Sequence, residues 1–142
     1  MTRSPNEELV REGFRAFSEG RYEDSLALMD PEIEWHIAFR IPDLPPDTAV
    51  VRGHQEIREL WGRFTEAWDS LTFDPEQILY DDRERVIVRI QVHGVGAGSG
   101  VEVDRTIFYA STVRDGKLLR ILPFDTPAAA AEHLGVDPAR LA

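Results

Sequence analysis

The 142 residues suit a single domain, residues 1–142, with a real core, and the absence of cysteine excludes disulfides, thiolate metal ligands and cysteine nucleophiles. A formal net charge of −10 argues against a nucleic-acid partner, because phosphate backbones are gripped by clustered Lys and Arg. No apolar run is long enough to cross a bilayer and the first residues lack a signal-peptide core, so a cytoplasmic protein with no membrane partner is expected.

Ser4, Pro5 and the acids Glu7 and Glu8 read as a helix start: a capping side chain, a first-turn proline, and negative charge at the positive end of the dipole. Leu9, Val10, Phe14 and Phe17 supply its apolar stripe and Gly20 ends it, which predicts a helix over 5–19. Residues 22–29 read as a second, shorter helix, stopped by Asp30-Pro31. Ile33, Trp35 and Ile37 then alternate with Glu34 and His36, the period of a strand. Residues 39–53 carry Pro42, Pro45 and Pro46 and form an irregular loop, long enough to serve as a lid or pocket wall. The clearest helix covers 54–69, where Ile57, Leu60, Trp61, Phe64, Ala67 and Trp68 share one stripe.

Residues 71–80 read as a strand interrupted near Pro75, and Asp81-Asp82 turns into the best-patterned part of the chain. Val86, Val88, Ile90 and Val92 alternate with Ile87, Arg89, Gln91 and His93. Four alternating glycines from Gly94 to Gly100 accommodate a turn or bulge. Residues 101–113 are β-branched and aromatic, Asp115-Gly116 is a turn, and residues 118–124 make a third strand. Thr126-Pro127 opens an Ala-rich last helix that ends at Gly135. Helices first and antiparallel strands later predict an α+β fold, a curved antiparallel sheet with helices packed on its concave face.

Five segments carry a resemblance: Phe17-Ser18-Glu19-Gly20, Asp30-Pro31-Glu32-Ile33-Glu34-Trp35, Arg52-Gly53-His54-Gln55-Glu56-Ile57-Arg58, Arg114-Asp115-Gly116-Lys117-Leu118 and Phe124-Asp125. With them the chain resembles the nuclear transport factor 2-like superfamily, and within it the SnoaL-like branch. The resemblance implies a cone-shaped fold, and it implies no single activity, because that fold hosts isomerases, cyclases, hydrolases, dehydratases and binding modules. It also implies a homodimer through the outer face of the sheet, for which the two-sided patterning of residues 101–113 is a separate motive.

Ketosteroid isomerases of the superfamily place a carboxylate base where this chain is similar at His36. Their two oxyanion donors fall at Gly13 and Phe108, neither of which donates a side-chain proton. Where limonene-epoxide-hydrolase-like members carry Arg-x-Asp, this chain reads Arg89-Ile90-Gln91, without the carboxylate. SnoaL-like polyketide cyclases use an aspartate on the last strand and a histidine on the central hairpin; Asp125 and His93 resemble these.

The expected site is a mostly apolar pocket for a small apolar organic ligand, walled by Trp35, Phe39, Trp61, Phe64 and Phe108. Its polar groups would be His36, Arg89, Gln91, His93 and Asp125, with His36, His93 and Asp125 as catalytic candidates for acid–base chemistry on a carbonyl compound. Strand alternation sets Trp35 and His36 on opposite faces, and the resemblance turns His36 toward the cavity. Each candidate has an alternative: His36 as a hydrogen-bonded strand residue, the Arg89/Gln91/His93 face as a dimer surface, Asp125 as a helix cap. No cofactor and no metal are expected. Two function classes stay open, a cofactor-independent enzyme and a non-catalytic binding or dimerisation module.

Overall fold

The structure is a computed structural model, and it describes residues 4–37 and 50–142. Its elements are α1 (Pro5–Ser18), α2 (Tyr22–Leu26), β1 (Met29–His36), β2 (Val50–Arg52), α3 (Gly53–Ala67), β3 (Trp68–Asp81), β4 (Arg85–Gly96), β5 (Glu102–Arg114), β6 (Lys117–Phe124) and α4 (Pro127–Leu134). The expected loop at 39–53 lies mostly outside the described residues, and so does Phe39.

The six strands form one curved, open sheet in the order β2-β1-β6-β5-β4-β3. Every pair is antiparallel except β1 with β6, which is parallel, with Trp35 opposite Ile121. That pair is the one parallel pairing in an otherwise antiparallel sheet. Local pattern identifies strands, whereas this pairing joins segments from opposite ends of the chain.

The helix signals hold with adjusted ends. Ser4 caps α1 by accepting from the Glu7 N–H at 3.0 Å. The second helix stops at Leu26, because Met29 and Asp30 already belong to β1. Thr126, not Asp125, is the side chain that caps α4, accepting from the Ala129 N–H, and Gly135 closes that helix in the left-handed conformation. Asp115 and Gly116 both have positive φ, the backbone of a tight two-residue hairpin turn between β5 and β6. Gly94 is needed for a different reason. A Cβ there would sit 2.9 Å from the ring of Trp68, which lies across the β4 backbone.

Alternation along β4 divides the molecule into two cores. Val86, Val88, Ile90 and Val92 face inward with Ile107 and Tyr109 and pack under α1 and α3. Ile87 faces outward and joins Leu79, Ala110 and the α4 residues Ala130 and Ala131 in a second, smaller cluster. The outer face thus receives cover from the chain's own last helix. Arg85 ties that helix down by donating to the Leu134 carbonyl at 3.0 Å.

The β3–β4 turn is organised by Asp82. Its carboxylate accepts from the Tyr80 hydroxyl at 2.7 Å, the Glu84 and Arg85 N–H groups at 2.9 and 2.8 Å, and the Arg85 guanidinium. Partial burial alone would raise its pKa, but these donors outweigh it and hold the carboxyl at about 2. A depressed carboxylate contributes stability that is complete above the unfolded-chain value and is lost as pH falls through the folded one. Asp82→Ala is therefore expected to cost about 1–3 kcal/mol at neutral pH. Urea unfolding from pH 7 down to 2 should show the wild-type advantage shrinking below roughly pH 4; a constant difference across that range contradicts this role.

Candidate functional site

The interior between α1, α3 and the concave face is organised around one ring. Phe17 lies 5.2 Å from the Trp61 and Phe73 rings, 5.6 Å from Tyr22, 6.3 Å from Phe64 and 6.5 Å from Trp35, mostly edge to face. Helical spacing sets Phe17 on the inward stripe of α1, and strand alternation sets Trp35 on the inward face of β1. Phe14, Phe17, Met29, Trp35, Trp61 and Ile121 surround a cavity of only about 10 Å³, room for roughly one water. Gly13, where the resembling isomerases carry a tyrosine, also lines it. On the far side of Phe17 an open groove of about 370 Å³ runs between the ends of α1 and α3 and the start of β3. Phe64, Trp68 and Leu71 are among its walls, and Phe17 is common to groove and cavity.

Among the described residues, four buried side-chain polar atoms have no hydrogen-bond partner, and three lie on the inner side: Trp35 Nε1, Trp61 Nε1 and Ser111 Oγ. Leaving such a group unsatisfied costs about 1–3 kcal/mol, and buried polar groups are otherwise almost always paired. Tyr109 is fully buried on the same face, its ring tilted against Phe14 at 5.4 Å, and burial pushes its phenol well above the usual range. It stays neutral at any physiological pH. Sequence patterning placed Tyr109 and Ser111 on strands, but nothing in the sequence shows that a polar atom lacks a partner.

The expected pocket residues are divided between the two faces of the sheet. Trp35, Trp61 and Phe64 are inside, in the main core. Arg89 stands opposite Phe108, Gln91 opposite Thr106 and His93 opposite Asp104, all on the outer face. There Arg89 donates to Gln77, and Gln91 joins Asp104 and Thr106, so the row satisfies itself. Phe108 packs against the α4 cluster and, with Arg89, lines a separate outer-face hollow of about 410 Å³ rather than the inner cavity. Asp125 is exposed at the end of β6 and is held by Arg105 at 2.9 Å.

His36 also lies on the outer face, beside Glu34 and opposite Val50 of β2, while Trp35 points into the core. The resemblance oriented this strand the other way; its phase is set by Ile33 and Trp35, whose burial is worth more than that of an imidazole. Half-burial lowers the His36 pKa. The nearby cations Arg52 and Arg120, together with His133, add to that shift, and Glu34 opposes it. Among the described residues no three His, Asp or Glu side chains gather as metal ligands.

With its folded pKa depressed, His36 binds a proton less readily than in the unfolded chain. Folding stability should therefore decline as pH falls below about 6.5. The expected result is a smaller loss between pH 7.5 and 5.5 for His36→Gln than for the wild type in urea unfolding. An equal loss in both proteins would remove His36 as the cause.

A sequence profile of the SnoaL-like domain matches residues 10–121. Curated proteins give no match. Among solved structures, TerC co-crystallised with polyporic acid is 21% identical and superposes with a TM-score of 0.71, covering 91% of this chain and 97% of that one. A nuclear transport factor 2-like protein of Burkholderia xenovorans is 24% identical, with a TM-score of 0.70 and coverage of 93% and 97%. A Mycobacterium tuberculosis protein in complex with estradiol-17β-hemisuccinate is 17% identical, with a TM-score of 0.72 and coverage of 86% and 94%. These likenesses establish a shared cone-like α+β architecture. The chain belongs to the SnoaL-like domain family.

Proposed function

We propose that this protein binds a small apolar organic molecule between α1, α3 and the concave face of the sheet. The observation that carries the proposal is that Phe17 is the wall shared by the outer groove and the inner cavity. The reading requires that ring to turn aside on binding, because the cavity behind it holds only about 10 Å³. Phe17 is 5% exposed, so the closed arrangement is the resting one. The complexes of TerC with polyporic acid and of the Mycobacterium protein with estradiol-17β-hemisuccinate support the binding of a small organic molecule here.

Binding is favoured over acid–base catalysis. A general base must reach the proton it removes, and among the described residues lining the inner cavity none carries a carboxylate or an imidazole. His36 and His93 stand on the opposite face, and Asp125 is exposed and paired. For self-association the proposal is a homodimer through the outer face, on the row formed by Arg89, Gln91 and His93 that α4 leaves open.

Titration with α-methylstyrene, a compact hydrocarbon, tests the binding reading through the indole resonances of Trp35 and Trp61. Saturable shifts with a dissociation constant of roughly 0.1–1 mM are expected. Shifts confined to surface residues would overturn it. Phe17→Ala, which removes the shared wall, should strengthen hydrocarbon binding while costing about 3–5 kcal/mol of folding stability. For the dimer, sedimentation equilibrium at about 50 μM is expected to give twice the chain mass; a monomer at that concentration counts against it.

A further inference from the structure

The outer-face hollow of about 410 Å³ lies between the sheet and the last part of the chain. Leu79, Arg89 and Phe108 line it from β3, β4 and β5, and Ala128 lines it from α4. Leu141 and Ala142 complete the lining, held there by the Ala142 N–H, which donates to the Leu79 carbonyl at 2.8 Å. Its volume is that of a small-molecule site, and Arg89 is the one polar side chain among the residues that line it.

Arg89 also differs from its counterparts in what it holds. Among the described residues the other half-buried arginines, Arg11, Arg21, Arg85 and Arg105, each meet a carboxylate, from Glu7, Glu12, Asp82 and Asp125. Arg89 meets none among them and donates instead to the neutral Gln77 side chain. A guanidinium carries five N–H donors in a planar fork and keeps its charge at any physiological pH. Beside apolar walls, such a charge is stabilised most by an anion that pairs with the fork.

We propose that the hollow is a second binding site, for a small organic monocarboxylate whose charged group pairs with Arg89 and whose apolar body lies against Leu79, Phe108 and Leu141. The site is independent of the interior reading, because hollow, groove and inner cavity share no lining residue. Charge sets the ligand class. A carboxylate matches the fork with two parallel hydrogen bonds. A phosphate dianion brings a second charge, for which no other Lys, Arg or His lines the hollow, and the chain's net charge of −10 opposes it further. An ammonium ion is repelled by the guanidinium. A partner chain is the other claimant, since the homodimer proposed above uses Arg89. The enclosure of the hollow by sheet, α4 and the residues after it favours a molecule small enough to fit inside.

The test titrates 2-naphthoate, its neutral amide 2-naphthamide, and acetate into the methyl-labelled protein at neutral pH. Naphthoate should shift the Leu79 and Leu141 methyl resonances saturably, with a dissociation constant of roughly 0.1–1 mM. Naphthamide should bind about tenfold more weakly, and acetate, which lacks the apolar body, should not saturate in the same range. Arg89→Gln should erase the preference for naphthoate over its amide, Arg89→Lys should keep part of it, and Arg89→Gln should sediment with the wild-type mass.

Equal affinity of the unaltered protein for naphthoate and naphthamide overturns the site, and so does a failure of naphthoate to saturate. Naphthoate that moves the Trp61 indole resonance and leaves Leu79 and Leu141 in place also overturns it, while supporting an interior ligand. An Arg89→Gln variant that loses the dimer yet keeps the naphthoate preference assigns the guanidinium to a partner chain instead. The comparison of acid with amide uses the wild-type protein, so it decides even where a variant does not fold.

Discussion

The structure depends on the edge-to-face packing of Phe17. This one ring touches aromatic partners from α2, β1, α3 and β3, so a single side chain of α1 fixes helices and sheet together. Aromatic pairs of this geometry contribute about 0.5–1.5 kcal/mol each beyond the area they bury. The same ring separates groove from cavity. Core packing and the wall between groove and cavity therefore rest on the same contacts.

The second organising fact is the two-residue period of the strands. It sends Val86, Val88, Ile90 and Val92 inward and their neighbours Ile87, Arg89, Gln91 and His93 outward. On the outer side the polar residues bond to one another across strands, as Gln91 does with Thr106, and so behave as a surface ladder. On the inner side the polar atoms are few and neutral.

Much of this was legible in the residues. The cap at Ser4, the stripe of α3, the alternation of β4 and the Asp115-Gly116 turn are local signals with local causes, and each appears where the pattern puts it. The candidate site was legible only in part. Alternation separates Trp35 from His36 but does not say which of them meets the helices, and a shift of one residue exchanges the faces. The burial of Ile33 and Trp35 settles that phase. Asp125 and Thr126 are both good capping residues, and only backbone geometry shows that Thr126 does it. Unpartnered indole nitrogens have no sequence signature at all, because partnership is a property of the folded chain.

The parallel pairing of β1 with β6 has a consequence for synthesis. As the chain leaves the ribosome, β1 emerges with the first helices, while the strand that completes its inner edge is made only after β2, α3, β3, β4 and β5. Until then the nascent domain carries a strand with one unpaired edge beside an exposed aromatic cluster, a combination that invites association with other chains. Non-local pairing of this kind also slows folding, because a long loop must close before its contacts form. For this domain, native packing around Phe17 and closure of the sheet must follow translation of β6, and a holding chaperone would find its substrate in the interval before that strand arrives.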